Sequence, residues 1–239
     1  MAAVIALLTD FGLQDPYVGV MKGVIADLAP RAKVVDLCHG LPPQDVRGAA
    51  LFLRQSAPYF PKATLFVVVV DPGVGSDRRV LYARTRRHSF LAPDNGALSW
   101  LPDPVLEWRS VVRRSLFLAQ VSSTFHGRDL FAPVAARLSR GLPPSRLGGR
   151  VDDPERLPWP AGEILAIDRF GNAVTSLGKG AGTVLYKGRR FSVRKTYADA
   201  RDGEALALAG SGGLLELSVR NGSFLKRYGA RRGDKVYAG

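Results

Sequence analysis

Three continuous, partly β-branched runs, residues 4–8, 34–37 and 64–70 (TLFVVVV), mark the first part of the chain. Runs of this kind predict strands buried on both faces of a parallel sheet. Between them Val18, Met21, Ile25 and Leu28 recur at helical spacing. The stretch from Asp45 to Ala57 has an acidic start and apolar Val46, Ala50 and Leu53, so the order is β-α-β-α-β. Val80–Ala83 and Ser89–Leu91 predict two further strands ahead of the turn signal PDNG, and a helix from about Arg128 to Leu138 closes this half. Residues 148–162, GGRVDDPERLPWPAG, concentrate Gly, Pro and charge as a surface loop does. Beyond them come short alternating segments (EILAID, AVTSL, TVLYKG, RFSVRKTY, ALALAG, LLELSV, KVYAG) with turn residues at close intervals. The expected fold is an α/β domain over 1–150 with a largely parallel sheet and flanking helices. A linker over 151–162 and a smaller all-β, barrel-like domain over 163–239 follow.

Composition narrows the class. The 239 residues are 46% hydrophobic and 23% charged, enough apolar side chain for real cores and far from a disordered composition. No apolar run approaches the roughly 20 residues that a bilayer span requires. The segment MAAVIALLTD has neither a basic start nor a cleavage site and is read as a strand, so a cytoplasmic location is expected. The single cysteine, Cys38, makes no internal disulfide, and His39, His88 and His126 lack metal-ligand spacing, so no metal is expected. The net charge of +13 raises nucleic-acid binding. The 26 arginines, however, are scattered as short clusters rather than one tract interleaved with aromatics, which suits a solvated surface.

In open α/β sheets ligands bind beyond the carboxyl ends of strands. Asp10 ends the first strand in TDFG, and Asp71 ends the most hydrophobic strand in VVVVDPGVGSDRR. Either acid alone can cap the following element; two together suit a ligand with hydroxyls or a positive centre. The loop after Asp71 lacks the Lys-Ser/Thr ending of a phosphate loop. The stretch 122–129, carrying TFHGRD, sets His126 at a loop-to-helix entrance. IDRFGNAVTSL places Asp168 and Asn172 about a Phe-Gly turn, and GSGGLLELSV places a glycine turn before a strand.

Taken in order, TDFGLQDPYVGVMKGVI, DPGVGSDRR, PDNG, TFHGRD and DRFGN resemble the S-adenosyl-L-methionine (SAM) hydroxide adenosyltransferases, or SAM hydrolases, over most of the chain. These are relatives of the SAM-dependent fluorinase and chlorinase. The resemblance implies an Asp-Arg-His catalytic set at Asp71, Arg78 and His126, and a ribose-holding acid at Asp10. It implies substrate contacts at Asp168 and Asn172, and at Ser211, Glu216 and Val219 in the C-terminal loop and strand. It also implies a homotrimer whose sites lie at subunit interfaces, with SAM as substrate, adenosine as product and no separate cofactor. The same-fold alternative is a halogenase; the others are a SAM- or adenosine-binding sensor and a basic nucleic-acid-associated protein.

Overall fold

Strand β1 (Val4–Thr9) sends alternate residues to opposite faces of a sheet, and each face has its own core. Ile5 and Leu7 join Val67 and Val69 against Met21 and Ile25 of helix α1 (Tyr17–Leu28) and Val134 of helix α3 (Ala132–Ser139). Ala6 and Leu8 join Phe66 and Val68 against Ala49 and Leu53 of helix α2 (Val46–Ser56). The Asp45 carboxylate accepts the Gly48 N–H at 2.8 Å and caps α2. The structure, a computed structural model, describes residues 4–239 and divides into two compact units between Leu157 and Pro158.

The first unit holds a six-stranded sheet in the order β2-β1-β3-β5-β4-β6, with β2 Lys33–Cys38, β3 Leu65–Val69, β4 Val80–Arg84, β5 Ser89–Pro93 and β6 Glu107–Ser110. Strands β2, β1, β3 and β5 run parallel, whereas β4 is antiparallel to both β5 and β6. Strands β1 and β3 are buried on both faces as their sequences imply, but β2 is not. It is the sheet edge, and Lys33, Val35 and Asp36 are exposed. Strand β6, with the sequence EWRS, lacks an apolar run because it is a half-buried edge.

The expected linker is docked on this unit over much of its length. Arg79 binds the Asp153 carboxylate and carbonyl, Asp94 accepts the Glu155 N–H, and Ser99 Oγ accepts the Leu157 N–H at 2.7 Å.

The second unit is a seven-stranded, nearly closed barrel in the order β13-β9-β10-β11-β12-β8-β7. Its elements are β7 Ile164–Ile167, β8 Ala173–Gly178, β9 Thr183–Tyr186, β10 Arg189–Arg194, β11 Ala205–Ala209, β12 Leu214–Val219, a short helix α4 Phe224–Tyr228, and β13 Val236–Ala238. Hydrogen bonds from Ile164 N–H to Asp234 O and from Val236 N–H to Gly162 O tie the two edge regions and satisfy backbone groups that an open sheet leaves bare. The segment RFSVRKTY is strand only to Arg194, because Thr196 caps a one-turn helix at Tyr197–Asp199. Among the described residues no helix is long and apolar enough to cross a membrane.

Candidate active site

The sheet order places β1 between β2 and β3, so chain connections leave β1 and β3 in opposite directions and open a crevice beyond their carboxyl ends. Thr9 pairs with Val69, which brings Asp10 and Asp71 out of adjacent strand ends. Asp10 accepts the Gln44 N–H at 2.7 Å through one carboxylate oxygen. Behind Asp71, Asn95 of PDNG donates its side-chain amide to the Val70 carbonyl at 2.9 Å, so this turn motif braces the strand end.

Arg78 joins the catalytic candidates into one unit. Its Nε donates to Asp71 Oδ1 and Oδ2 at 2.9 and 2.8 Å, and its Nη2 donates to Asp71 Oδ2 as well. The same Nη2 lies 3.0 Å from His126 Nδ1. Arginine only donates, so Nδ1 accepts and the proton of the neutral imidazole sits on Nε2. Burial, followed by the Arg78 charge, holds His126 below its ordinary value, with Asp71 and Asp129 pulling the other way. Next door, Arg79 anchors the loop by bonding Asp94.

The loop that carries His126 is pinned by Asp129, whose side chain is wholly buried. Asp129 accepts the Ser122 N–H at 2.8 Å and the Arg128 guanidinium at 2.6 and 3.0 Å. Burial raises this carboxyl and those hydrogen bonds more than offset it, so it stays below its ordinary value. The turn Gly127–Phe131 is a π-helix, a wide turn often found at functional sites. Gly127 is packed against Met21, Phe125 and Phe11, where an added Cβ would lie 3.1–3.3 Å from their atoms. Gly75, at φ +82°, sits where any Cβ would collide with the Ser123 carbonyl oxygen, so the loops bearing Arg78 and His126 abut there.

These residues surround a cleft of about 340 Å³ lined by Asp10, Asp71 and His126 together with Phe11, Tyr17 and Phe125. The three rings stack edge-on or tilted, with centroids 5.0–6.0 Å apart. Neither this aromatic wall nor Asp129 stood out in the sequence. Phe11 and Phe125 lie within TDFG and TFHG beside the acid and the histidine, and that adjacency was the available signal.

The remaining candidates lie on the barrel. The Asp168 carboxylate accepts the Phe170 and Asn172 N–H groups and the Asn172 side-chain amide, so it shapes its own turn. Burial and then the Asp168 charge raise the Glu216 carboxyl. Val219 is a core side chain, 6% exposed, at the rim of a pocket shared with Asn172, Phe170 and Tyr197. Ser211 is exposed on the turn between β11 and β12. Among the described residues no group of three or more His, Cys, Asp or Glu is arranged to hold a metal.

The chain matches the SAM hydroxide adenosyltransferase N-terminal domain over residues 5–148 and the C-terminal domain over 162–237. It is 44% identical to the (R)-S-adenosyl-L-methionine hydrolase of Thermus thermophilus, over 96% of each chain. A fluorinase of Nocardia brasiliensis is more distant, at 26% identity over 98% of this chain and 95% of that one. The crystal structure of an uncharacterized conserved protein from Thermotoga maritima superposes with a TM-score of 0.91 at 36% identity, covering 97% of this chain and 98% of that one.

Proposed function

The chain belongs to the SAM hydroxide adenosyltransferase family and hydrolyses SAM, and we propose that it does so in the cleft where Arg78 joins Asp71 to His126. The single observation that carries this placement is that three-residue unit at the crevice between β1 and β3.

The reaction follows from the groups present. Water forms a bond to C5′ of SAM, the C5′–S bond breaks, and its electron pair stays on sulfur as the thioether of L-methionine. The other product is adenosine, and one proton is released. A neutral thioether needs no general acid, so the demand falls on the nucleophile. Water, with a pKa of about 15.7, has to be held in line and relieved of a proton as attack proceeds. His126 Nδ1 is occupied by Arg78 and its Nε2 carries hydrogen, so the ring orients water as a donor. The Asp71 carboxylate is then the proton acceptor of the set, and the fixed charge of Arg78 stabilises hydroxide as it develops.

Asp10, with one oxygen on Gln44 N–H, accepts the hydroxyls of the ribose diol. Asp168, Asn172, Ser211, Glu216 and Val219 form the methionine- and adenine-facing surface on the barrel. The Thermus relative is named for the (R) sulfonium epimer, and the same epimer is the proposed substrate here. A fluorinase is only a distant relative, which favours water over halide.

The active form is a homotrimer with sites at subunit interfaces. Exposed Tyr17 and Val74 at the cleft, and exposed Phe170 and Tyr197 beside Asn172, support it as apolar surface that a second copy would cover. Sedimentation that gives a stable monomer at micromolar concentration contradicts the trimer.

The test of the site is chromatography of each SAM epimer after incubation with the protein in halide-free buffer. Equal amounts of adenosine and methionine are expected from the (R) epimer, with formation lost in Asp71→Ala. Undiminished turnover by that variant overturns the placement.

A further inference from the structure

A chain of polar side chains runs beneath the Asp10 loop. The His39 side chain is 2% exposed, and both of its ring nitrogens are engaged. Nδ1 lies 2.8 Å from Thr9 Oγ1, and Nε2 lies 3.0 Å from Asp36 Oδ1. Asp36 Oδ2 in turn accepts Lys22 Nζ at 2.6 Å. Burial pushes the Asp36 carboxyl up, while Lys22 and His39 more than offset it, so it stays an acceptor at neutral pH.

That fixes the direction at one end of the chain. His39 Nε2–H donates to the Asp36 carboxylate, and Nδ1 is hydrogen-bonded to the Thr9 hydroxyl. Thr9 Oγ1 accepts the Phe11 N–H at 3.3 Å, and the His39 carbonyl accepts the Gly12 N–H at 2.7 Å. The His39 ring thus holds Thr9 and the His39 carbonyl holds Gly12, while Thr9 holds Phe11; Thr9 and Phe11 are the immediate neighbours of Asp10. Ile5 to Leu8 of β1 are entirely apolar and buried, and Thr9, equally buried, is its first polar side chain. Replacing both members of a buried hydrogen-bonded pair by apolar groups of the same shape is close to neutral for stability, so the Thr9–His39 pair at the end of an otherwise apolar strand points to orientation rather than to fold stability.

We propose that His39, acting through Thr9 and oriented by Asp36, is a positioning residue that sets the Asp10 loop for ribose recognition. The inference rests on the reading of Asp10 as acceptor of the ribose diol.

The test compares kcat/KM for SAM and for its 2′-deoxyribose counterpart. Thr9→Val is isosteric and removes only the hydroxyl. His39→Gln reaches Asp36 but not Thr9, whereas His39→Asn places an amide where Nδ1 stood. Discrimination between the two substrates is expected to fall about tenfold in Thr9→Val and His39→Gln, mainly through KM, and to be largely retained in His39→Asn. A lowered melting temperature with wild-type discrimination in the first two variants makes the chain merely structural and overturns the proposal. Asp10→Asn separates the two readings. If it loses discrimination while Thr9→Val and His39→Gln keep it, positioning alone fails. If Asp10→Asn keeps wild-type discrimination, the ribose assignment falls and the proposal falls with it.

Discussion

Arg78 Nη2 stands 3.0 Å from His126 Nδ1 while the same Nη2 and the Nε beside it grip the Asp71 carboxylate. A planar fork spans two partners in this way, and a lysine ammonium, a point charge on a flexible stem, does not. Arg78→Lys is therefore expected to lower kcat by about 10²-fold or more with a much smaller change in KM. Steady-state kinetics check this, and a wild-type kcat would show that the bridge is dispensable.

The bridge requires a neutral His126, since protonation would set a second donor against Arg78. Burial and the Arg78 charge hold the ring below its ordinary value of 6.5, so the acid limb of kcat/KM should fall below pH 6.5 and vanish in His126→Asn. The linked stability effect has a definite sign. The folded state disfavours the charged ring, so its contribution is complete above the unfolded value and is lost as pH falls from there toward the folded one.

Asp129 does not line the cleft but fixes the segment from Ser122 to His126. Asp129→Asn leaves a buried site short of acceptors for Ser122 N–H and Arg128, at a cost of about 1–3 kcal/mol in unfolding free energy. Its kcat should fall with little change in KM, because the displaced group is His126 rather than the substrate-binding acid. Denaturant melts and kinetics on one preparation test both halves.

A second buried histidine separates acid stability from catalysis. His88 is 2% exposed beside Phe66 and Phe90, just before Ser89, which pairs with Leu65 at the end of β3 remote from Asp71. Burial, then the Arg87 charge, lowers its value, against weaker opposition from the Ala57 backbone and Asp103. As pH drops below 6.5 the unfolded chain takes up a proton that the folded chain resists, so stability declines. His88→Leu should flatten that decline in urea melts while leaving the acid limb of activity in place.

Much of this arrangement was legible in the sequence because period and position carry it. The runs at 4–8 and 64–70 marked central strands, and an acid at the carboxyl end of each strand marked the crevice between them. The run at 34–37 reads as equally buried, yet β2 is an edge: two adjacent valines do not say how many neighbours a strand has, and Asp36 interrupts the run. Strand β6 was hidden for the opposite reason, its four half-buried residues showing no alternation. His39 and the aromatic wall depend on contacts between segments distant along the chain, as with Thr9 and His39, and no local pattern reports those; the partners of Asp129, Ser122 and Arg128, are local, but its complete burial shows only in the folded chain. Asp168 was visible as a turn residue, but that its carboxylate is taken up by the Phe170 and Asn172 N–H groups appears only with the turn folded.

In the proposed reaction water attacks C5′ of SAM under the control of Asp71, Arg78 and His126. The most direct measurement is mass spectrometry of the adenosine formed in water enriched in the heavy oxygen isotope, for the native protein and for Asp71→Asn. One heavy oxygen is expected at the 5′-hydroxyl and none in methionine, with product formation suppressed in the variant. Adenosine without the label, or labelled adenosine formed equally fast by Asp71→Asn, would contradict that reaction.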